Sequence, residues 1–284
     1  MPATPAPPEA PVPAPAGAAD PWGRAALQGR LAAIRPGLRV ECLRETDSTS
    51  TRLLERARAG DLGPGLLVAE HQTAGRGRLG RPWFGDAAAA GDPPALTFSL
   101  GLVLAPADWS GLSLAVGVAL AEALGPAVRL KWPNDLWLHG ADGRGRKLGG
   151  VLIETLPPPD GGAARPVVVG IGLNLDAPAA RPGLDQPVAG WREVEPGAHA
   201  PALLARVAPP LLDALAAFEA QGFAAFAARY AARDALRGLA VRSSDPVAPE
   251  GEALGVDARG ALRLRLPDGG ERLIVSGEVS VRPC

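Results

Sequence analysis

Lysine, asparagine and cysteine each occur only twice in 284 residues. Cys42 and Cys284 are too few and too far apart for a disulfide framework or a structural zinc site. Free thiols point to a reducing, cytoplasmic setting. Charge of one sign is lacking too: 29 Lys and Arg stand against 30 Asp and Glu, a net charge of -1. No basic excess therefore marks nucleic acid or an anionic membrane as a partner. No run reads as long and apolar enough to cross a bilayer; residues 112–124 come nearest, but that run is short and carries Glu122. A Walker lysine motif is absent. His71, His139 and His199 lack the second ligand or nucleophile that a metal site or a triad needs.

Scarcity is informative where the survivors sit. Arginine supplies 27 of the 29 basic residues. A compositional bias alone leaves the remaining lysines scattered. Instead Lys131, Lys147, Asn134 and Asn174 all fall between positions 131 and 174, inside motifs rich in glycine or tryptophan. An ammonium is compact where a guanidinium is broad and planar, so a lysine kept among arginines suggests a site that needs the smaller cation.

Residues 1–20 are rich in Pro and Ala, with only Glu9 and Asp20 charged. Such a segment cannot bury enough apolar surface to offset its ordering entropy, and a disordered tail is expected. It has no basic residue before Arg24 and no large apolar run, so it does not read as a secretory signal. A helix is expected over 21–34, capped by Asp20 with Pro21 at its first position, and a second from Asp47 or Ser48 through 59. Further helices are expected at 110–124, 201–220 and 223–233. Strand patterns cover 38–43, 65–70, 96–104, 128–131, 135–138, 147–154 and 167–175. A loop fills 176–199. After 233 come short strand signals at Val241, 253–256, 261–266 and 272–275. The turns Asp257-Ala-Arg-Gly260 and Pro267-Asp-Gly-Gly270 separate them. That is a small β-barrel-like domain of about 50 residues, short enough to need its neighbour.

Five segments carry chemistry. Gln72-Thr-Ala-Gly75-Arg76-Gly77-Arg78-Leu-Gly-Arg81-Pro-Trp83 alternates glycine, which lets backbone approach an anion, with arginine, which neutralises one. It is costly to order alone and is expected to order around a ligand; on alternation alone a solvated basic loop fits equally. Lys131-Trp-Pro-Asn134-Asp135 gathers a cation, an aromatic face, an amide and a carboxylate at a rigid turn, a set that suits a nucleotide, with Asp135 a candidate for a hydroxyl or for Mg²⁺ through water. The plainer alternative is a turn with Trp132 in the core. Lys147-Leu-Gly-Gly150 sets one ammonium beside bare backbone, placed for an anionic group or simply facing water. Gly170-Ile-Gly172-Leu-Asn174 puts glycines inside a strand, for a ligand or for tight packing. Asp47-Ser48-Thr49-Ser50 offers hydroxyls to a polar head such as a urea, or merely caps a helix.

Together and in this order, these segments resemble bacterial biotin protein ligases of the monofunctional type, from about Asp47 to the C-terminus. The ending Ser276-Gly-Glu-Val-Ser280 looks like that family's small C-terminal barrel. The resemblance implies an α+β fold, a mixed β-sheet flanked by helices as in class II aminoacyl-tRNA synthetases, with a small C-terminal SH3-like β-barrel. It divides the chain into a tail at 1–20, a catalytic domain at 21–235 and a β domain at 236–284. By the same resemblance Ser48, Thr49, Ser50 and Gln72 hold the biotin ring and ureido group, although Ser50 stands where the family's motif reads Asn. Gly75, Arg76, Gly77 and Arg78 match the loop over the biotin carboxylate and the adenylate phosphate. Lys147 matches the lysine that contacts both, and Gly150, Gly170 and Gly172 line the pocket. Arg81, Trp83, Lys131, Asn134, Asn174 and Trp191 match the ATP side.

The implied activity is activation of biotin by ATP, with Mg²⁺, to biotinyl-5'-AMP. Biotin then passes to a lysine of the biotin carboxyl carrier protein of acetyl-CoA carboxylase, with Lys147 and Arg78 in the catalytic roles. The alternatives are a lipoate or octanoate ligase or transferase of the same architecture, and a non-catalytic biotin sensor. About 45 residues precede the first motif, without the tri-helical pattern of an N-terminal repressor domain, so no operator binding is expected. The sequence does not set the oligomeric state, and a homodimer is compatible with it.

Overall fold

A computed structural model describes residues 12–13, 20–83, 92–140, 143–158, 161–179, 186–246, 248–275 and 281–284. The first part of the chain forms β1 (Val12–Pro13), α1 (Arg24–Ile34), β2 (Arg39–Thr46), α2 (Thr49–Arg58), β3 (Gly65–Gln72), β4 (Ala95–Leu104), α3 (Leu112–Leu124), β5 (Val128–Lys131), β6 (Asp135–His139), β7 (Gly145–Thr155) and β8 (Arg165–Asn174). It continues with α4 (Ala200–Gln221), α5 (Ala227–Ala231), β9 (Ala240–Ser243), β10 (Glu250–Val256), β11 (Leu262–Arg265), β12 (Glu271–Ile274) and β13 (Val281–Pro283). Eight strands form one sheet in the order β1-β2-β3-β4-β8-β7-β6-β5, and five form a second in the order β12-β11-β10-β9-β13. In the large sheet β2 and β3 run parallel, and the other pairings are antiparallel. The second sheet is antiparallel and SH3-like. This is the mixed sheet with flanking helices that the resemblance implies.

Strand alternation assigns the two faces of the large sheet. In β4, Leu96, Phe98, Leu100, Leu102 and Leu104 enter the main core, where α1, α3 and α4 pack. In β8, Val167, Val169, Ile171 and Leu173 do the same. The opposite face is covered by α2 through Leu53 and Leu54, which meet Leu67, Ala69 and Val168. Beyond the N-terminus of α2, strands β4 and β8 place no large apolar side chain on that second face. Its row in β8 continues as Gly170, Gly172 and Asn174, and the facing row in β4 is Thr97, Ser99 and Gly101. A floor of glycine and hydroxyl groups at the end of a helix is what leaves room for a cavity.

One irregularity aims a key side chain. Between β6 and β7 the register slips so that Leu136 faces Gly149 while Trp137 faces Lys147. Leu148 is the extra residue of this bulge and is fully buried. In a regular strand Lys147 would share a face with Val151 and Ile153; a bulge re-aims a side chain. Here it turns Lys147 to the side of Gly150, whose Cβ position lies 3.6 Å from the Lys147 Nζ.

Several expectations need correction. The first helix starts at Arg24, not at residue 21, because residues 20–23 form a turn in which Gly23 N–H donates to the Asp20 carbonyl. That turn buries Trp22, whose Nε1 donates to Glu70. Within the expected tail, Val12 and Pro13 pair with Glu45 and Leu43 of β2; the rest of the tail before Asp20 lies outside the described residues, as does the stretch 276–280. The span 223–233 is not one helix: a 3-10 turn at Phe223–Ala225 precedes the five-residue α5. The strand β13 was not anticipated, being three residues long and ending in proline. The longest apolar element is α4, which by length and composition could cross a membrane. It is a core helix instead, burying Leu203, Leu204, Val207, Leu211, Leu215 and Phe218 while Arg206 and Asp213 face outward.

The two sheets are joined at the turn that the sequence marks at 257–260. Trp132, fully buried, donates from Nε1 to the Gly260 carbonyl at 3.0 Å. Arg259 pairs with Asp108 at 2.8 Å. The Ser110 backbone N–H and hydroxyl, with Arg259, hold the Asp108 carboxyl down at about 2. This docking carries β13 to the rim of the cavity.

Candidate functional site

One cavity lies on the open part of the second face. It gathers Ser48, Thr49, Ser50, Gln72, Arg76, Gly77, Arg78, Arg81, Trp83, Lys131, Asn134, Asp135, Lys147, Gly150, Gly170, Gly172 and Asn174. All of these are site residues anticipated from sequence. Two others lie elsewhere. Gly75 sits behind the wall, at the base of the glycine-arginine loop. Trp191 is buried in the core and donates to Glu195 at 3.2 Å, so it does not line the cavity.

The glycine-arginine loop is braced by hydrogen bonds of its own backbone. Trp83 N–H donates to the Gly75 carbonyl at 2.9 Å, Gly77 N–H to the Arg81 carbonyl at 2.7 Å, and Arg76 bridges to Pro82. This is a short hairpin. Its tip is Leu79, at φ 60 and half exposed, a left-handed conformation that a leucine adopts only when its surroundings impose it. Arg76 leaves the hairpin to pair with Glu154 at 3.0 Å. Arg78 donates to Asn134 Oδ1 at 3.1 Å, and burial, with Arg81 nearby, draws its guanidinium below the usual range. Trp83 lies against Gly172 so closely that any Cβ there would overlap its ring, and its buried Nε1 has no hydrogen-bond partner among the described residues.

The cationic wall is organised by one carboxylate. Asp135 receives Lys147 on Oδ1 at 2.8 Å and Lys131 on Oδ2 at 3.1 Å. Burial alone pushes the Asp135 carboxyl up, but the two ammonium groups outweigh it and hold the carboxyl below its ordinary range. Burial lowers Lys131, with Asp135 opposing and Lys147 and Arg282 adding to the fall. Each Asp135 oxygen thus accepts from one lysine ammonium. Among the described residues no cluster of His, Cys, Asp and Glu is placed to hold a metal ion.

The two asparagines act as struts. Asn134 donates to the Val151 carbonyl at 2.7 Å while accepting from Arg78, tying the hairpin to β7. Asn174 donates to the Ala189 carbonyl at 3.2 Å. It thereby holds the segment whose Pro187 and Ala189 bracket Lys147 through backbone hydrogen bonds. At the other end of the cavity, Ser48 caps α2, accepting from Thr51 N–H at 3.4 Å, and the Thr49 N–H donates to Gln72 Oε1 at 2.8 Å.

Several lining residues were missed. Ser99 is one, although the Thr97, Ser99, Gly101 alternation within an apolar strand was a readable signal. Val151, Leu152 and Ile171 supply apolar wall. Arg282 comes from β13 of the second sheet, and nothing local in the sequence marks it.

The cavity joins an end lined by hydroxyl and amide groups to an end of concentrated positive charge, an arrangement that suits a ligand with a polar head and an anionic tail. Comparison with known proteins is consistent with that. The Biotin/lipoate A/B protein ligase family matches residues 42–174, and the Biotin protein ligase C terminal domain matches residues 240–282. The biotin--[acetyl-CoA-carboxylase] ligase of Paracoccus denitrificans is 35% identical over 252 residues, covering 84% of this chain and 98% of the relative. The chain belongs to this ligase family. The bifunctional ligase/repressor BirA of Escherichia coli is also 35% identical, over 86% of this chain and 74% of its own length. Among solved structures, a biotin protein ligase from Aquifex aeolicus in complex with biotin and ATP aligns with a TM-score of 0.70 at 27% identity. It covers 86% of this chain and 99% of that one. The family domains fall on the two sheets, with the cavity in the first and Arg282 reaching it from the second.

Proposed function

We infer that the chain is a biotin protein ligase, which activates biotin with ATP and transfers it to a lysine of a biotin carboxyl carrier protein. The observation that carries this is the cavity's polarity. Hydroxyl and amide groups of Ser48, Thr49, Ser50 and Gln72 stand at one end, and Lys147, Lys131 and Arg78 at the other. Biotin has the same polarity, a ureido ring at one end and a carboxylate at the other.

Mg²⁺ accompanying ATP would supply further charge neutralisation at the phosphates. The biotin carboxylate attacks the α-phosphorus, pyrophosphate leaves, and a carrier lysine then displaces AMP. No protein nucleophile takes part. The barrier falls through alignment and through charge neutralisation by groups already in place. Lys147, held by Asp135, faces the point where carboxylate and phosphate meet; Arg78 covers it from the hairpin. The unpaired Cys42 and Cys284 suit a reducing cytoplasm.

The test is incubation with biotin, ATP, Mg²⁺ and a biotin-carrier domain, read by mass shift, with lipoate and octanoate as parallel arms. Biotin-dependent addition to the carrier is expected. No shift with biotin, or a preference for lipoate or octanoate, would overturn the reading.

A further inference from the structure

We propose that Ser99 sets the hydrogen-bond polarity of the ureido end of the cavity and makes the site selective for a ring N–H. This deepens the biotin reading and rests on it.

The chain of donors can be read in one direction only. The Thr49 backbone N–H points at the Gln72 side chain at 2.8 Å. A backbone N–H can only donate, so the atom it meets is the amide oxygen, which fixes the orientation of Gln72. The Thr49 hydroxyl lies 3.1 Å from the same oxygen. That oxygen has no proton, so Thr49 gives its own. Ser99 stands 2.7 Å from the Thr49 hydroxyl and, with the Thr49 proton committed, must donate to it. Ser50 stands 3.0 Å from Ser99 and must donate in turn. A hydroxyl carries one proton, so the chain Ser50 to Ser99 to Thr49 to Gln72 uses every proton in it.

What remains facing the cavity follows. Ser50 Oγ has only lone pairs to offer and accepts. Gln72 has its two amide protons left and donates. Ser48, whose oxygen already accepts from Thr51 N–H, has its proton left to donate. One acceptor beside two donors complements a urea, which presents N–H groups beside a carbonyl. Gly170 provides the access: a Cβ there would stand 2.5 Å from Ser50 Oγ and 3.6 Å from Ser99 Oγ. Ser99 itself is fully buried, with no exposed surface. It is a positioning residue, holding the Ser50 proton away from the cavity. Buried polar groups left unpaired by a wrong ligand make such a site discriminating.

The experiment is biotin-dependent ATP–pyrophosphate exchange by the full chain, comparing wild type, Ser99→Ala, Ser50→Ala and the double variant. Substrates are biotin and its two cyclic carbamate analogues, each with one ring N–H replaced by oxygen. Wild type should reject one of the analogues by ~10²-fold or more in kcat/KM, because oxygen then faces the Ser50 lone pairs. Ser99→Ala frees the Ser50 proton to turn toward the cavity. It should raise the KM for biotin about 10-fold, on the scale of one hydrogen bond, and reduce discrimination against that analogue to within ~10-fold. The KM for ATP should not move. The double variant should be no worse than the worse single one, since both break one chain. Equal losses on biotin and both analogues, or a biotin KM within about twofold of wild type, would overturn the proposal while leaving the ligase reading intact. Absence of exchange by wild type would overturn both. If Ser99→Ala does not fold, Ser50→Ala decides: it removes the acceptor, and the carbamate discrimination must fall with it or the proposal is wrong.

Discussion

Asp135 holds Lys147 at 2.8 Å from Oδ1, and the same carboxylate holds Lys131 from Oδ2. The residue that the sequence offered as a metal contact is therefore the anchor of two cations. Asp135→Asn keeps the shape and removes the charge. Two lysines are then left together with nothing between them, and breaking a buried pair in this way costs about 3–5 kcal/mol. A fall in melting temperature and a fall in adenylation of roughly 10²-fold are expected, read by thermal unfolding and by pyrophosphate exchange. The variant should also lose an acid limb. Because the folded-state Asp135 lies below the ordinary carboxylate value, its stabilising contribution is present above about pH 4. It disappears as pH falls through the folded value. Wild type should lose stability over that window, and the variant should lose less.

Lys147→Ala removes a donor aimed at the reacting centre, and adenylation should fall roughly 10²-fold or more. Lys147→Arg should not restore it, because a planar guanidinium cannot occupy the place of an ammonium pinned between Asp135 and Trp83. Near-normal exchange by either variant would remove Lys147 from the role.

Arg78→Gly takes away both the hairpin's inward cation and its link to Asn134. Biotinyl-AMP should then escape, so that lysines of bystander proteins are labelled. Dissociation of the adenylate, followed by gel filtration over time, should be faster than for wild type; an unchanged rate contradicts the assignment.

Arg282→Glu tests the reach of the second sheet. Arg282 is exposed, lines the cavity and helps to lower Lys131. The variant should fold as wild type does while raising the KM for ATP about 10-fold, the size of one charge-assisted contact. A changed biotin KM with an unchanged ATP KM would place it on the wrong side of the reaction.

The cysteines should differ in reactivity. Burial, with Asp20 nearby, pushes the Cys42 thiol up to about 12, while Cys284 is exposed. Only a thiolate reacts readily. At pH 8 a chromogenic disulfide should titrate one thiol rapidly in the native chain and two after unfolding. Two rapid thiols in the native state would show that Cys42 is accessible.

Much of this arrangement is legible in the sequence, for a reason that the structure makes plain. Strands β5 and β8 and helix α2 are set by local periodicity and by a capping residue, and those signals are short-range. The cavity residues on β3, β7, β8 and the hairpin lie in motifs where glycine, lysine and asparagine depart from the surrounding composition. Arg282 and the true surroundings of Asp135 were hidden because both depend on contacts between distant elements. Trp191 was misplaced for a related cause: an aromatic ring after a glycine in a loop looks the same whether it closes over a ligand or fills the core. Trp191 fills the core.

The extra residue at Leu148 has a meaning for anyone who would copy this site. Counted along an ordinary strand, positions 147, 151 and 153 have the same parity, and a graft of this segment onto a regular backbone would sink the ammonium among hydrocarbon with every letter of the motif preserved. Part of what makes Lys147 useful is thus written in the count of residues, where a substitution scan cannot see it. An alignment that tolerates a gap at that point would recognise the motif and lose the enzyme.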